Sequence, residues 1–284
     1  MNDVIIYTID GVEKTFSIKG SSDFKYGKDE VLSAQHVDVT FDQPWYDEGY
    51  TEIDLVNAAQ FKELKEGLTE AVAQIVREEC SIDTEGFTLE KYHQFVKGNE
   101  DHFKVVRRTR DLFPKDFGFP VNDFIPLFEN MLNFPLSDKN PKDGEQIHII
   151  VRINRPQSND FNPPHKDVYE AVDKDDYLPS FVNFWIPIAG VNEKSNLPLA
   201  PRSHRINENQ VFRTFDGAII QGNKYRVRMI KSWNGESRLT RSTVKYGQVL
   251  IFSGHLIHGL AVNDNTDLTR VALEFRLFKP RTEA

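Results

Sequence analysis

The hydrophobic pattern of this chain changes period once, and that change limits the folds open to it. Between about residues 54 and 79, Leu55, Ala58, Ala59, Phe61, Leu64, Leu68, Ala71, Val72, Ile75 and Val76 recur at three- and four-residue steps, the spacing of one helix face. Shorter helical stretches are expected over about 89–96 and 121–132, with Pro114, Pro120 and Pro135 as breaks. After Pro141 the texture becomes apolar runs between turns, and 146–155, 181–188, 225–231, 248–252 and 271–277 read as strands. Alternation is clearest over 225–229, where Lys224, Arg226 and Arg228 lie opposite Tyr225, Val227 and Met229. Near the N-terminus a hairpin is expected, with strands over 4–9 and 14–18 around Asp10 and Gly11. Helices first and strands afterwards predict an α+β, mainly β protein, with a helical layer bracing an antiparallel sheet or barrel. No linker rich in Gly, Pro or Ser divides the chain. One domain over 1–284 is therefore expected, with a hairpin and helical flank over 1–140 and a strand core over 141–284.

Composition removes several function classes. A hydrophobic content of 39% over 284 residues suffices for one sizeable core, and 21 Phe suit sheets packed face to face. The formal net charge of −8 argues against a general nucleic-acid binder, which needs a basic face. Cys80 is the only cysteine, so neither an internal disulfide nor a thiolate metal cluster is possible. The opening MNDVIIYTID has too short an apolar run for a signal segment, and no later stretch is long enough to span a bilayer. The expectation is a cytoplasmic protein whose partner is a small molecule rather than nucleic acid or membrane.

The chemistry concentrates in two stretches. In NPPHKDVYE, His165 and Asp167 are two apart, so in extended chain both side chains leave on one side and can reach one ion. In FSGHLIHGL, His255 and His258 are the candidates for a further ligand. Two imidazoles and one carboxylate on one face of an octahedral ion leave positions open for a chelating 2-oxo acid and dioxygen, the facial arrangement of non-haem Fe(II) oxygenases. Alone, an HxD is as readily a surface His beside a solvated Asp. Arg270 adds weight: it opens the apolar run RVALEFRLF, where a planar guanidinium needs a carboxylate partner. A structural ion pair is the alternative for it.

Taken together, RINRPQSNDFNPPHKD, FVNFWIPIAG, NLPLAPRSHR and YGQVLIFSGHLIHGLAVNDNTDLTR resemble, over about 146–278, the phytanoyl-CoA hydroxylase-type, ectoine hydroxylase-like branch of the Fe(II)/2-oxoglutarate-dependent oxygenases. The order and approximate spacing of the four elements carry the resemblance. It implies a double-stranded β-helix (jelly-roll, cupin-like) barrel, with His165, Asp167 and His258 on the metal and Arg270 on 2-oxoglutarate. It also implies that Asn154 lies near that cosubstrate and that Asn183 or Trp185 lines the same pocket; a backbone-satisfied Asn and a core Trp are the alternatives. The chain departs from the pattern at Arg202, where the family's turn has Gly, and at Pro164 and Leu260 beside the two metal histidines.

His258 is preferred to His255 because it stands in the HG and at the family's distance from Arg270. Three residues apart on a strand, the two histidines would face opposite ways. His204 is assigned to a supporting turn, and His36, His93, His102 and His148 to surface or core. The activity implied is hydroxylation of an unactivated C–H bond of a small polar metabolite, consuming O2 and releasing succinate and CO2. Asp167 favours hydroxylation or desaturation over halogenation, because related halogenases lack that carboxylate. A cupin-type metal enzyme without 2-oxoglutarate, or a non-catalytic barrel that binds only, are the rival readings. Residues 207–241 form a long polar insertion of the kind that walls a substrate site. Lys224, Arg226, Arg228 and Lys231, and likewise Lys104, Arg107, Arg108 and Arg110, are either anion receivers or simply wet faces.

Overall fold

Strand alternation in the second half of the chain builds a five-stranded antiparallel sheet in the order β4 (Tyr50–Asp54), β13 (Gln248–Ser253), β6 (Phe181–Ala189), β14 (Arg270–Phe278), β5 (Ile150–Asn154). This is a computed structural model, and it describes residues 3–19, 23–28, 30–119, 121–171 and 180–280. One face of the sheet presents Val151, Ile153, Val182, Phe184, Ile186, Val249, Ile251, Val271, Leu273, Phe275 and Leu277 to the helices. The intervening residues point into the barrel, where Trp185, Leu250, Phe252 and Ala272 share a separate apolar cluster. Period-two sequence thus assigns every second residue of β6 and β14 to the interior.

The helical layer comprises α2 (Ala58–Cys80), α3 (Tyr92–Phe95), α4 (Asn99–Thr109) and α5 (Val121–Leu132), after a short α1 (Glu30–Ser33). α2 packs Leu64, Leu68, Val72, Ile75 and Val76 against the sheet, the stripe its periodicity predicts. Its start is set by Asn57, whose side chain accepts from the Ala59 and Gln60 amides while Gln60 reaches back to the Asn57 amide. A cap of this kind contributes about 1 kcal/mol. Residue 54 therefore lies in β4, not in the helix. Only this boundary residue differs from the helical stretch expected from about 54, because apolar spacing begins at Leu55.

A second sheet runs β10 (Asn223–Tyr225), β9 (Ala218–Ile220), β2 (Val12–Lys19), β1 (Asp3–Ile9), β12 (Arg238–Arg241), β7 (Pro198–Leu199). The expected N-terminal hairpin is present: β1 and β2 pair through Ile9 and Val12 across Asp10 and Gly11, both with positive φ (51° and 81°). A third, small sheet joins β11 (Ile230–Trp233), β8 (Val211–Arg213) and β3 (Lys25–Tyr26). The fold is mainly β, a curled jelly-roll arrangement with helices on one side, as expected.

Two strand expectations need correction. The run 225–231 is not one strand, since β10 ends at Tyr225 and β11 begins at Ile230, in different sheets. Met229 and Ile230 are both buried, which consecutive residues of a one-sided strand cannot be, so the chain must turn there. The run 146–155 forms a ladder only over Ile150–Asn154, preceded by isolated bridges at Gln146 and Ile149. α4 had no expectation at all, because its buried face is His102, Val105 and Thr109 rather than an apolar stripe.

Candidate metal and cosubstrate site

The HxD segment enters the barrel after Pro163 and Pro164 and is held by a reciprocal backbone pair: the His165 amide donates to the His258 carbonyl (2.9 Å) and the His258 amide to the His165 carbonyl (3.1 Å). Asp167 follows just before the short helix α6 (Val168–Ala171), whose first amide donates to Gly254 at 3.0 Å. His165, Asp167 and His258 are all buried, and their candidate ligand atoms lie within 4.8 Å of one another. His165 Nε2 is 3.4 Å from Asp167 Oδ1, and His258 Nε2 is 3.6 Å from Oδ2.

Both rings are oriented by their other nitrogen. His165 Nδ1 is 2.8 Å from the Pro163 carbonyl and His258 Nδ1 is 3.0 Å from the Leu256 carbonyl. A carbonyl only accepts, so each Nδ1 carries the proton and each Nε2 offers a lone pair to the common centre. Burial keeps His258 neutral by pushing its pKa down, against the pull of Asp167. Burial alone would raise the Asp167 carboxyl, but Arg276 and the two imidazoles outweigh it and hold it well below the usual carboxylate range. Asp167 is thus an anion faced by the Nε2 atoms of His165 and His258, the kind of donor set that suits a divalent ion.

His255 is not part of this cluster. β13 ends at Ser253, and the following residues turn, with the Leu256 amide on the Ser253 carbonyl. A turn rather than strand alternation separates the two histidines, and His255 lies within electrostatic reach of Asp38, Lys166 and Glu208 instead. His204 packs edge-on against Tyr46 at 4.6 Å and is likewise kept neutral by burial, its pKa down to about 4.

Arg270 is buried at the start of β14, opposite Asn154 of β5, and its Nη1 donates to Asn154 Oδ1. Its guanidinium carbon stands 5.0 Å over the Trp185 ring, and burial pushes its pKa down to about 9. Among the described residues its Nε and Nη2 are buried with no hydrogen-bond partner, as are Trp185 Nε1, both side-chain polar atoms of Asn183 and Asp167 Oδ2. A buried unpaired donor or acceptor costs about 1–3 kcal/mol, and native chains rarely tolerate several together. Asn183 and Trp185 of β6 alternate onto the barrel face, as Arg270 of β14 does, so these orphaned groups line one interior surface. That is the observation expected where a polar ligand with its own charge and a metal ion belong.

All seven residues singled out in the sequence are therefore in the interior. Others there were missed. Arg276 donates to Asp167 Oδ1 at 2.7 Å and lies over Phe181, and Arg152 of β5 grips Glu274 through two bonds of 2.9 and 2.7 Å. Burial would raise Glu274, but Arg152 brings it down to about 2. The signal was available: Arg270, Ala272, Glu274 and Arg276 are every second residue of RVALEFRLF. Leu260, beside Gly259, turns into the cluster of the second sheet with φ 48°.

No curated protein matches this chain in sequence. Similar solved structures include AviO1 from Streptomyces viridochromogenes Tue57, at 13% identity over 84% of this chain and 93% of that one, with a TM-score of 0.47. EctD from S. alaskensis, solved with 2-oxoglutarate and 5-hydroxyectoine, is 13% identical over 93% of this chain and 86% of its own, with a TM-score of 0.48. The non-heme monooxygenase ThoJ is 14% identical over 88% of this chain and 78% of its own, with a TM-score of 0.49. The phytanoyl-CoA dioxygenase (PhyH) family matches residues 45–272, most of the chain, from β4 to the start of β14. This chain belongs to the phytanoyl-CoA dioxygenase family and is a non-haem enzyme dependent on Fe(II) and 2-oxoglutarate.

Proposed function

We propose that this chain is a hydroxylase in which His165, Asp167 and His258 hold Fe(II) and Arg270 takes the distal carboxylate of 2-oxoglutarate, acting on a C–H bond of a small polar metabolite. The observation that carries the reading is the set of orphaned buried donors at Arg270 and Trp185, on the same interior surface as a His–Asp–His cluster. When bound, iron and 2-oxoglutarate supply the oxidising power drawn from O2, with succinate and CO2 as by-products.

The chain's own residues have defined tasks in this reading. His165 and His258 present Nε2, because the backbone carbonyls of Pro163 and Leu256 fix the proton on Nδ1. Arg270 has two donors still to place, which suits a bidentate carboxylate, while Asn154 steadies its fork from the other side. Trp185 and Asn183 contribute further hydrogen bonds along the cosubstrate. Leu250, Phe252 and Ala272 keep water from the reacting C–H bond. Asp167 occupies a coordination position that a halide would need, which favours hydroxylation. We read the whole of 1–284 as one such domain, with the strands of 207–241 forming a wall of the substrate site.

Anaerobic addition of Fe(II) and then 2-oxoglutarate tests this: a weak visible charge-transfer band is expected, absent with 2-oxoglutarate or metal alone. Folded protein that binds iron but shows no band would favour a cupin-type enzyme that does not use this cosubstrate. Succinate release over a panel of polar metabolites would then identify the substrate.

A further inference from the structure

Between the two ligands of the HxD segment stands a residue with no part in the site. Lys166 leaves the chain on the side opposite His165 and Asp167 and is 1% exposed. Its Nζ lies 2.9 Å from Glu208 Oε1, and neither side chain reaches solvent. Glu208 is further held by Tyr169 Oη at 3.0 and 2.9 Å and by Arg213 Nε at 3.1 Å. Arg213 in turn lies against the faces of Tyr169 and Phe215, 4.2 and 4.1 Å from their centres. The Glu208 amide donates to Ser33 Oγ at 2.9 Å, and Gly27 is so close that a Cβ there would meet the Glu208 carbonyl at 2.7 Å. Glu208 is therefore fixed from several sides.

Stability does not explain the pair. Burying two charges costs several kcal/mol each, and apolar residues of similar volume often serve a fold as well or better. Glu208 needs only one cation for balance, and Arg213 supplies it. What Lys166 adds is a lateral constraint on a segment that is not in a regular ladder. That segment is otherwise held by the single backbone bridge to His258 and by isolated bonds, such as the Ile230 amide on the Pro164 carbonyl at 2.8 Å. On the other side, Arg276 draws Asp167 through its 2.7 Å contact.

We propose that Lys166 is a positioning residue for iron: anchored on Glu208, it holds the backbone between His165 and Asp167 so that both ligand groups meet His258. This couples the metal centre to the polar insertion that carries Glu208. It rests on the metal reading above.

The test compares Lys166→Met with Arg213→Met by anaerobic Co(II) titration, using the visible Co(II) bands for affinity and coordination geometry and thermal melting for fold. Each variant removes one buried cation from the same carboxylate, but only Lys166 lies on the ligand segment. Lys166→Met is expected to lose about 10–100-fold in Co(II) affinity, with altered band shape, as removal of a group that orients a ligand does. Arg213→Met should stay within about 3-fold of wild type. Lys166→Gln, which keeps a donor towards Glu208, should recover most of the loss; if the Met variant does not fold, Lys166→Leu takes its place with the same expected loss and the same overturning result. Equal Co(II) binding by wild type and a folded Lys166→Met protein, or equal losses in the Lys166 and Arg213 variants, overturns the positioning role. Wild-type protein that binds no Co(II) sinks the metal reading instead.

Discussion

Replacing Arg270 by Met should stabilise the cosubstrate-free protein while abolishing its response to 2-oxoglutarate. In the wild type, two buried guanidinium donors are unsatisfied, each costing about 1–3 kcal/mol. The Met variant removes both and leaves Asn154 Oδ1 without its Arg270 partner, which returns one such cost. The net gain is about 1–3 kcal/mol, or roughly 2–12 °C in melting temperature for a chain of this size. Losing a buried charge pair weakens 2-oxoglutarate by about 2–5 kcal/mol, which is about 30- to 5,000-fold. At a 2-oxoglutarate concentration 100 times its wild-type Kd, the wild type gains about 2.7 kcal/mol and the variant about 0.9 kcal/mol or less. The assay is anaerobic differential scanning calorimetry of the metal-loaded protein with and without 2-oxoglutarate. A variant that melts lower than wild type without 2-oxoglutarate, yet responds equally to it, would refute the reasoning that these donors await a carboxylate.

Two further outcomes follow from local geometry. Gly259 has φ 133°, and a Cβ there would meet the Pro163 carbonyl oxygen at 2.5 Å, so Gly259→Ala should cost about 2–4 kcal/mol, or about 4–16 °C by melting, and weaken Co(II) binding by disturbing the His165–His258 bridge; wild-type melting would contradict this. Burial lowers the pKa of His102, between Tyr92 Oη (3.0 Å) and Asp160 (3.3 Å), from 6.5 to about 4. The unfolded chain then binds the extra proton first, so this contribution, about 3 kcal/mol, is intact above pH 6.5 and lost as pH falls towards 4. His102→Gln should flatten urea-denaturation stability between pH 7 and 4.5, and an unchanged slope would exclude His102 as a source of acid lability.

What the sequence disclosed depended on how the signal was carried. α2 was legible from its apolar spacing, and β6, β13 and β14 from apolar runs between turns. α4 was not, since its buried positions include His102, which is satisfied by Tyr92, and Thr109, which reaches the Val151 carbonyl. β4 was hidden because an edge strand can be polar when one neighbour supplies its hydrogen bonds. At the site, His165 and Asp167 came from a two-residue step, whereas what brings His258 rather than His255 beside them is something that spacing could not give: the turn after Ser253. Arg276 and the Lys166–Glu208 pair were missed because charged residues in a run read as a solvated face, and only folding shows that Arg276 reaches Asp167 and that Lys166 and Glu208 are enclosed.

The interior explains why an anionic cosubstrate would choose Arg270 over its two neighbours. Arg152 of β5 and Arg270 and Arg276 of β14 stand on the same face of the sheet, and charge alone does not distinguish them. Arg152 is committed to Glu274 through two bonds, a pair that is electrically neutral and holds Glu274 ionised. Arg276 is committed to Asp167. Arg270 has only the neutral Asn154 oxygen, keeps two donors unmet in a dry setting and lies over Trp185 rather than beside a carboxylate. An incoming carboxylate gains new charge-assisted bonds at Arg270, whereas at either neighbour it must displace an existing anion. Glu274 also stands between Arg270 and Arg276 on β14, four residues from the first and two from the second, so its charge would keep a distal carboxylate at the Arg270 end, away from Asp167.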